Sequence, residues 1–417
     1  MISRSYIAIT GGLGLRSAAL ALLVMVLARS LGSSLYGGYA AVLSISNLFA
    51  TFSGLGAAVL HVRDASRQSL SPDVSLRRAT IQTLRTFIPL AVVCLACTWL
   101  LIPTSIPRLP ISAIAIGELS AVIATELAFR SFQAQERYWA MGVATAFVPL
   151  LRTIVAGSMW FSGMLDLYTW APVSLASGLL PLAGLVVLFM RRTSTVNRGA
   201  VSNKISAADA LSGVGYSLSA ASAQLHGDAD KIVLARLTTT ADTGQYAVAY
   251  RLTDVLTLPI VAAIARLLPS LFRDGATGFS ASMKQSRQLI SVGLVAAFFL
   301  SIIGYLAAPL LPWILGSSYS YSVRMARALA FIPFSMTAWS IVRSIAGTSG
   351  YEKEMGATEL LGAAFNIVAC IVGVAAFGWV GAVVATYLTH LFMGGALVTW
   401  ITVRERGMAA PGSSFNK

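Results

Sequence analysis

The sequence predicts an all-α integral membrane protein of about twelve transmembrane helices. Three observations predict it: an apolar composition with little charge, apolar stretches that recur along the whole chain, and basic residues gathered in the breaks between them. The 417 residues are 56% hydrophobic and only 11% charged. An average soluble domain is about 25% charged. A soluble fold of this size would lack the polar surface to cover its apolar interior. The 30 Lys and Arg exceed the 16 Asp and Glu, for a net charge of +14. On a soluble protein that excess would point to nucleic acid. Here the basic residues lie between apolar segments, the pattern of cytoplasmic loops, so no nucleic-acid partner is expected.

The expected spans are 6–28, 36–60, 82–103, 111–132, 139–161 and 170–190, then 208–229, 244–268, 288–310, 322–345, 356–377 and 379–403. Span 208–229 is the most polar, because it runs into Asp228, Asp230 and Lys231. No loop is long enough to fold by itself; the longest lie near 61–81, 191–207 and 269–287. The first apolar run is too long for a signal-peptide core, contains Arg16 and lacks a small-x-small cleavage site, so it reads as a span. With the N-terminus inside, the cytoplasmic segments hold eighteen Lys and Arg and the outer loops at most five. The positive-inside rule therefore places both termini in the cytoplasm and requires an even number of spans.

The chain also repeats itself. Residues 27–40, LARSLGSSLYGGYA, and 234–247, LARLTTTADTGQYA, share Leu, Ala, Arg, Gly, Tyr and Ala in register at an offset of 207. Arg130-Ser131, Tyr138 and Met141-Gly142 recur as Arg343-Ser344, Tyr351 and Met355-Gly356, at offsets of 213 and 214. Six spans separate the copies, so both cross in the same direction. This predicts two pseudo-symmetric six-helix lobes, 1–200 and 201–417, around a central cavity that serves as the substrate path.

Ionisable side chains in hydrocarbon need a partner or a water-filled cavity. Arg16, in GGLGLRSAALALL, is too deep to snorkel; cavity lining is weighed against a buried ion pair. Arg152 is also deep, with the same two readings. Arg251 has Asp254 at i+3: either a local ion pair, or a guanidinium held at a cavity wall where it can bind phosphate oxygens bidentately. Arg85 and Arg266 lie close to cytoplasmic ends, where snorkelling competes with a cationic entrance. Acids within the spans are few: Glu118, Glu126 and Glu359, with Glu126 and Arg130 spaced to pair at i,i+4. His226, Asp228 and Asp230 form a polar helix end or a coupling-ion or proton site. Cys94 and Cys97, at i,i+3 in an apolar run, read as small packing residues, and Cys370 lies in another such run. No metal site or cofactor is expected. No G-x-x-x-x-G-K-[ST] or H-E-x-x-H occurs, which removes P-loop ATP hydrolysis and HExxH-type zinc hydrolysis.

Ala28-Arg29-Ser30-Leu31-Gly32, followed by Tyr36-Gly37-Gly38-Tyr39-Ala40, resembles the first-loop signature of bacterial polysaccharide exporters, the O-antigen and repeat-unit flippases of the multidrug/oligosaccharidyl-lipid/polysaccharide superfamily. Asp230-Lys231-Ile232-Val233-Leu234, then Gly244 to Leu252 (GQYAVAYRL), is similar to that family's start of its second lobe; Leu268-Pro269-Ser270-Leu271 and Ile314-Leu315-Gly316 with Tyr319 resemble later motifs. The second-half loop departs from the pattern, with Leu237-Thr238-Thr239 where the first half has Leu-Gly. The resemblance implies a transporter, not an enzyme. It implies a bacterial plasma-membrane flippase that carries an undecaprenyl-pyrophosphate-linked oligosaccharide to the outer face by alternating access. Its partners would be that lipid-linked cargo, membrane lipids, and assembly proteins such as a polymerase and a chain-length regulator. Two other functions compete: a cation-coupled multidrug exporter on the same scaffold, and a membrane-embedded polysaccharide polymerase or ligase.

Overall fold

The computed structural model describes residues 4–67, 70–193, 207–275 and 278–409. Among these the chain is nearly all helical, with no β-strand. The first half contains α1 (Arg4–Ala50), a 3-10 turn at Ser53–Gly56, α2 (Ala57–Ser66), α3 (Pro72–Leu101), α4 (Arg108–Ala134), α5 (Tyr138–Phe161) and α6 (Leu167–Arg192). The second contains α7 (Ala207–Leu237), α8 (Thr240–Gly275), α9 (Phe279–Gln285), α10 (Arg287–Ala307) and α11 (Leu310–Leu315). A 3-10 turn at Ser317–Tyr319 leads to α12 (Ser322–Leu329), α13 (Ile332–Thr348), α14 (Glu352–Phe377) and α15 (Trp379–Ala409).

Each expected span falls on a helix. The first lies in α1 and the second runs from α1 through the 3-10 turn into α2; α1 turns back at Gly32 (φ 70°, ψ 171°), a conformation that glycine adopts without steric penalty. Span 322–345 falls on α12 and α13 together. Nine helical stretches of the described residues are long and apolar enough to cross a membrane, and the first of them, Gly11–Ser66, holds two expected spans. α7 and α8 are long enough but more polar. The protein is thus a multi-pass membrane protein.

The chain forms two compact units. The first comprises residues 1–224, 231–247 and 314–319; the second comprises 225–230, 248–313 and 320–417. Contacts within each unit group the loops as the charge pattern requires. At the cytoplasmic ends of the first unit, Arg192 pairs with Asp73 at 3.3 Å and donates to Gln135 at 3.0 Å, while Arg77 donates to the Thr193 carbonyl at 2.8 Å. In the second unit, Glu405 accepts from the Phe279 amide at 2.9 Å and the Tyr351 hydroxyl at 3.3 Å. At the outer ends of the first unit, Tyr319 donates to the Ala28 carbonyl at 2.9 Å and Arg29 to the Ile314 carbonyl at 3.1 Å.

Three of the outer arginines have local partners. Arg108 donates to the carbonyls of Trp99 (2.8 Å) and Ile102 (3.3 Å), at the negative end of the α3 dipole. Arg29 lies 5.8 Å from the Trp160 ring and Arg324 lies 5.5 Å from the Tyr321 ring.

Without a hydrophobic drive between helices in lipid, small residues set how closely they approach. Helices α4 and α6 meet where a Cβ on Gly178 would stand 1.9 Å from the Gly117 carbonyl oxygen. Gly178→Val therefore forces the backbones apart. The expected cost is about 1–3 kcal/mol, read as a lower Tm of the purified protein in detergent.

Candidate substrate-binding site

The deep arginines have different surroundings. In the first unit Arg16 lies on the exposed side of α1. Two helix contacts fix its depth. One turn before it, a Cβ on Gly12 would stand 2.3 Å from Gly142 Cα on α5. One turn after it, the Ala19 carbonyl accepts from Thr153 Oγ1 at 2.8 Å. Gly142 and Thr153 are separated by about 16 Å of α5, and Arg16 lies between those levels, inside the span.

Arg152 is 4% exposed. Its Nε donates to Ser177 Oγ at 2.9 Å, and its Nη2 to the carbonyls of Ser174 (3.2 Å) and Gly117 (3.3 Å). Its Nη1 forms an ion pair with Glu118. Of the two readings weighed for Arg152, the structure gives the buried pair and not a place on a cavity wall. The reason is non-local: Glu118 on α4 faces it across a separation of 34 residues. The three glutamates within the spans, Glu118, Glu126 and Glu359, each have an arginine beside them. Arg130 donates to Glu126 at 2.6 Å, the pair that the i,i+4 spacing predicts, and Glu359 pairs with Arg343. Glu354, at the start of α14, pairs with Arg404. The Glu118, Glu359 and Glu354 partners are invisible to local spacing; the only signal is that sparse acids in lipid require cations nearby.

In the second unit Arg251 Nη1 lies 3.1 Å from Asp254 Oδ2, with side chains 46% and 44% exposed. The i,i+3 pair forms on an accessible face of α8, while Thr253 and Thr257 turn into the helix packing. Arg85 is exposed on α3, beside Thr86, whose hydroxyl accepts from the Gly54 amide at 2.8 Å. The side chain of Arg266 lies outside the described residues.

His226, Asp228 and Asp230 lie inside α7, which continues to Leu237, so the charged run is not a helix end. On a helix His226 and Asp230 share one face and Asp228 lies on the other. Asp230 is buried. Among the described residues no three His, Cys, Asp or Glu converge as metal ligands.

A long helical membrane protein of this kind, with in-span glutamates tied to arginine, has the architecture of a multi-pass transporter. Residues 4–273 match the family model described as "Polysaccharide biosynthesis protein", and the chain belongs to that family. Its fold is shared by transporters of the MOP superfamily. The lipid II flippase MurJ, in an inward closed conformation, superposes with a TM-score of 0.66 at 10% identity, covering 95% of this chain and 87% of that one. An inward-facing multidrug resistance MATE transporter gives 0.63 at 13% identity, over 97% and 99% of the two chains. The MATE transporter VcmN of Vibrio cholerae gives 0.58 at 15% identity, over 97% and 98%. No curated protein matches the sequence.

The buried pair generates a prediction. Glu118→Ala strands the Arg152 charge and is expected to cost about 3–5 kcal/mol. Replacing both partners with Met restores most of that loss. Thermal unfolding in detergent measures both, and equal destabilisation by the single and double variants would contradict the pairing.

Proposed function

We propose that the protein is a flippase, not an enzyme, that moves an undecaprenyl-pyrophosphate-linked oligosaccharide from the cytoplasmic to the outer face of the plasma membrane. Membership of the polysaccharide biosynthesis family and a fold shared with a lipid II flippase support the reading. The observation that carries it is the contrast between acids and arginines at depth. Glu118, Glu126 and Glu359 sit beside arginines, while Arg16 and the Arg251–Asp254 pair are on exposed helix faces. A pyrophosphate head group is a dianion that a guanidinium binds in bidentate fashion. The polyprenyl tail stays in lipid. The sugar hydroxyls would lose their hydrogen bonds in hydrocarbon, so they need a wet path.

In this reading the six-helix repeats, 1–200 and 201–417, are the bodies that alternate. Arg16 and Arg251 with Asp254 bind the head group, and Arg85 and Arg266 form a cationic entrance. His226, Asp228 and Asp230 are the candidates for coupling to an ion or a proton. The cargo passes to a polymerase and a chain-length regulator on the outer side.

The likeness to MATE transporters favours a second reading, a cation-coupled multidrug exporter. Such a protein needs acids or aromatic faces open to a cationic drug, and the arginine pairing of Glu118, Glu126 and Glu359 argues against it.

Arg16→Ala and Arg251→Ala are expected to abolish export while the protein still inserts. The measurement is the distribution of lipid-linked saccharide between the two faces of the plasma membrane. In a deletion strain cargo accumulates inside and surface polymer is lost. Complete units reaching the outer face unpolymerised would favour a polymerase, and an unchanged distribution with new sensitivity to cationic drugs would favour the exporter.

A further inference from the structure

The two copies of the repeated motif pack against each other, and they do so reciprocally. A Cβ on Gly37 would stand 1.7 Å from the Thr240 carbonyl oxygen and 2.7 Å from the Gly244 amide nitrogen. A Cβ on Gly244 would stand 2.0 Å from the Ser33 carbonyl oxygen and 3.0 Å from the Gly37 amide nitrogen. The offset of 207 maps Ser33 onto Thr240 and Gly37 onto Gly244. Each copy therefore seats its glycine on the carbonyl four residues before the other's glycine, the self-complementary pattern of a two-fold contact. Ser34 Oγ and Thr240 Oγ1 hydrogen bond across it at 2.9 Å. The recurring apolar residues are the buried ones: Leu27 and Ala28 in one copy and Leu234 and Ala235 in the other are all 0% exposed.

We infer that this crossing is a latch that closes the outer side of the transporter, and that Gly37 and Gly244 set how often it opens. The inference rests on the transporter reading above. The contact lies at the outer ends of the helices, where cargo must leave. Its core is backbone against backbone. Glycine–carbonyl contacts of this kind are individually weak, so the crossing can part at small cost. An alanine at either glycine already collides with backbone, which wedges the latch open.

The test uses the full chain with its three cysteines replaced, in cells and in spheroplasts. Ser34→Cys with Thr240→Cys places a thiol pair where the two hydroxyls meet. Oxidation is expected to cross-link the pair and stop export of lipid-linked saccharide, and a reductant is expected to restore it. Separately, Ser34→Cys alone reports opening through its labelling by a membrane-impermeant maleimide added outside. Adding Gly244→Leu is expected to raise the labelling rate on the order of tenfold, and Gly244→Ala by less. The labelling does not depend on cargo, so it reads the latch even if the flippase reading fails. Export continuing through a fully cross-linked protein would overturn the latch and leave the flippase reading intact. Unchanged labelling in both glycine variants would overturn it as well. Normal surface polymer in the deletion strain would overturn the flippase reading alone.

Discussion

Hydrocarbon offers no hydrogen bonds, and the placement of polar groups in this protein follows from that lack. The guanidinium of Arg152 shows the demand most clearly. Buried between α4, α5 and α6, it reaches a carboxylate, a hydroxyl and two backbone carbonyls. The hydroxyls meet the same demand more simply. Ser44, Thr80, Thr98, Ser301 and Thr389 each return their proton to the carbonyl four residues back. A hydroxyl satisfied within its own helix leaves that helix free to pack by shape, and Asn366 donating to Thr389 at 3.0 Å is among the few buried amide contacts between helices. A charge cannot be satisfied that way, so the glutamates within the spans take arginine partners, from the same helix for Glu126 and from another for Glu118 and Glu359.

That division explains what could be read from the sequence. Helix positions were legible because a span needs about twenty apolar residues, whatever its neighbours do. Sidedness was legible because loop charge is a local property, and the Arg192–Asp73 and Tyr351–Glu405 contacts join loops that charge alone assigns to one side. The Glu126–Arg130 pair was legible because i,i+4 spacing is fixed by helix geometry. The Arg152–Glu118 pair was not, since nothing in either segment records that α4 and α5 face each other there. The same blindness applied to α7. Its charges read as an end because they interrupt an apolar run, yet the helix continues through them to Leu237.

The repeat was visible as letters, but its meaning was not. Matching residues at a fixed offset predict similar local structure, and they do not predict that the two copies touch. The glycines carry that information only once the carbonyls opposite them are known. Repetition here serves two purposes: each copy shapes a helix reversal, and the pair forms a contact whose halves constrain each other.

The reversal at Gly32 has a consequence for how the chain enters the membrane. A single residue with positive φ redirects α1, and helix resumes at once on either side. Almost no polar backbone lies between the first two crossings, and Arg29 is the one charge near the turn. During synthesis a translocation machinery would have very little hydrophilic chain to carry across at this point. The two crossings can enter lipid together as a preformed hairpin, with their backbone groups already satisfied. The step that places this first hairpin then moves a single positive charge, Arg29, through the bilayer.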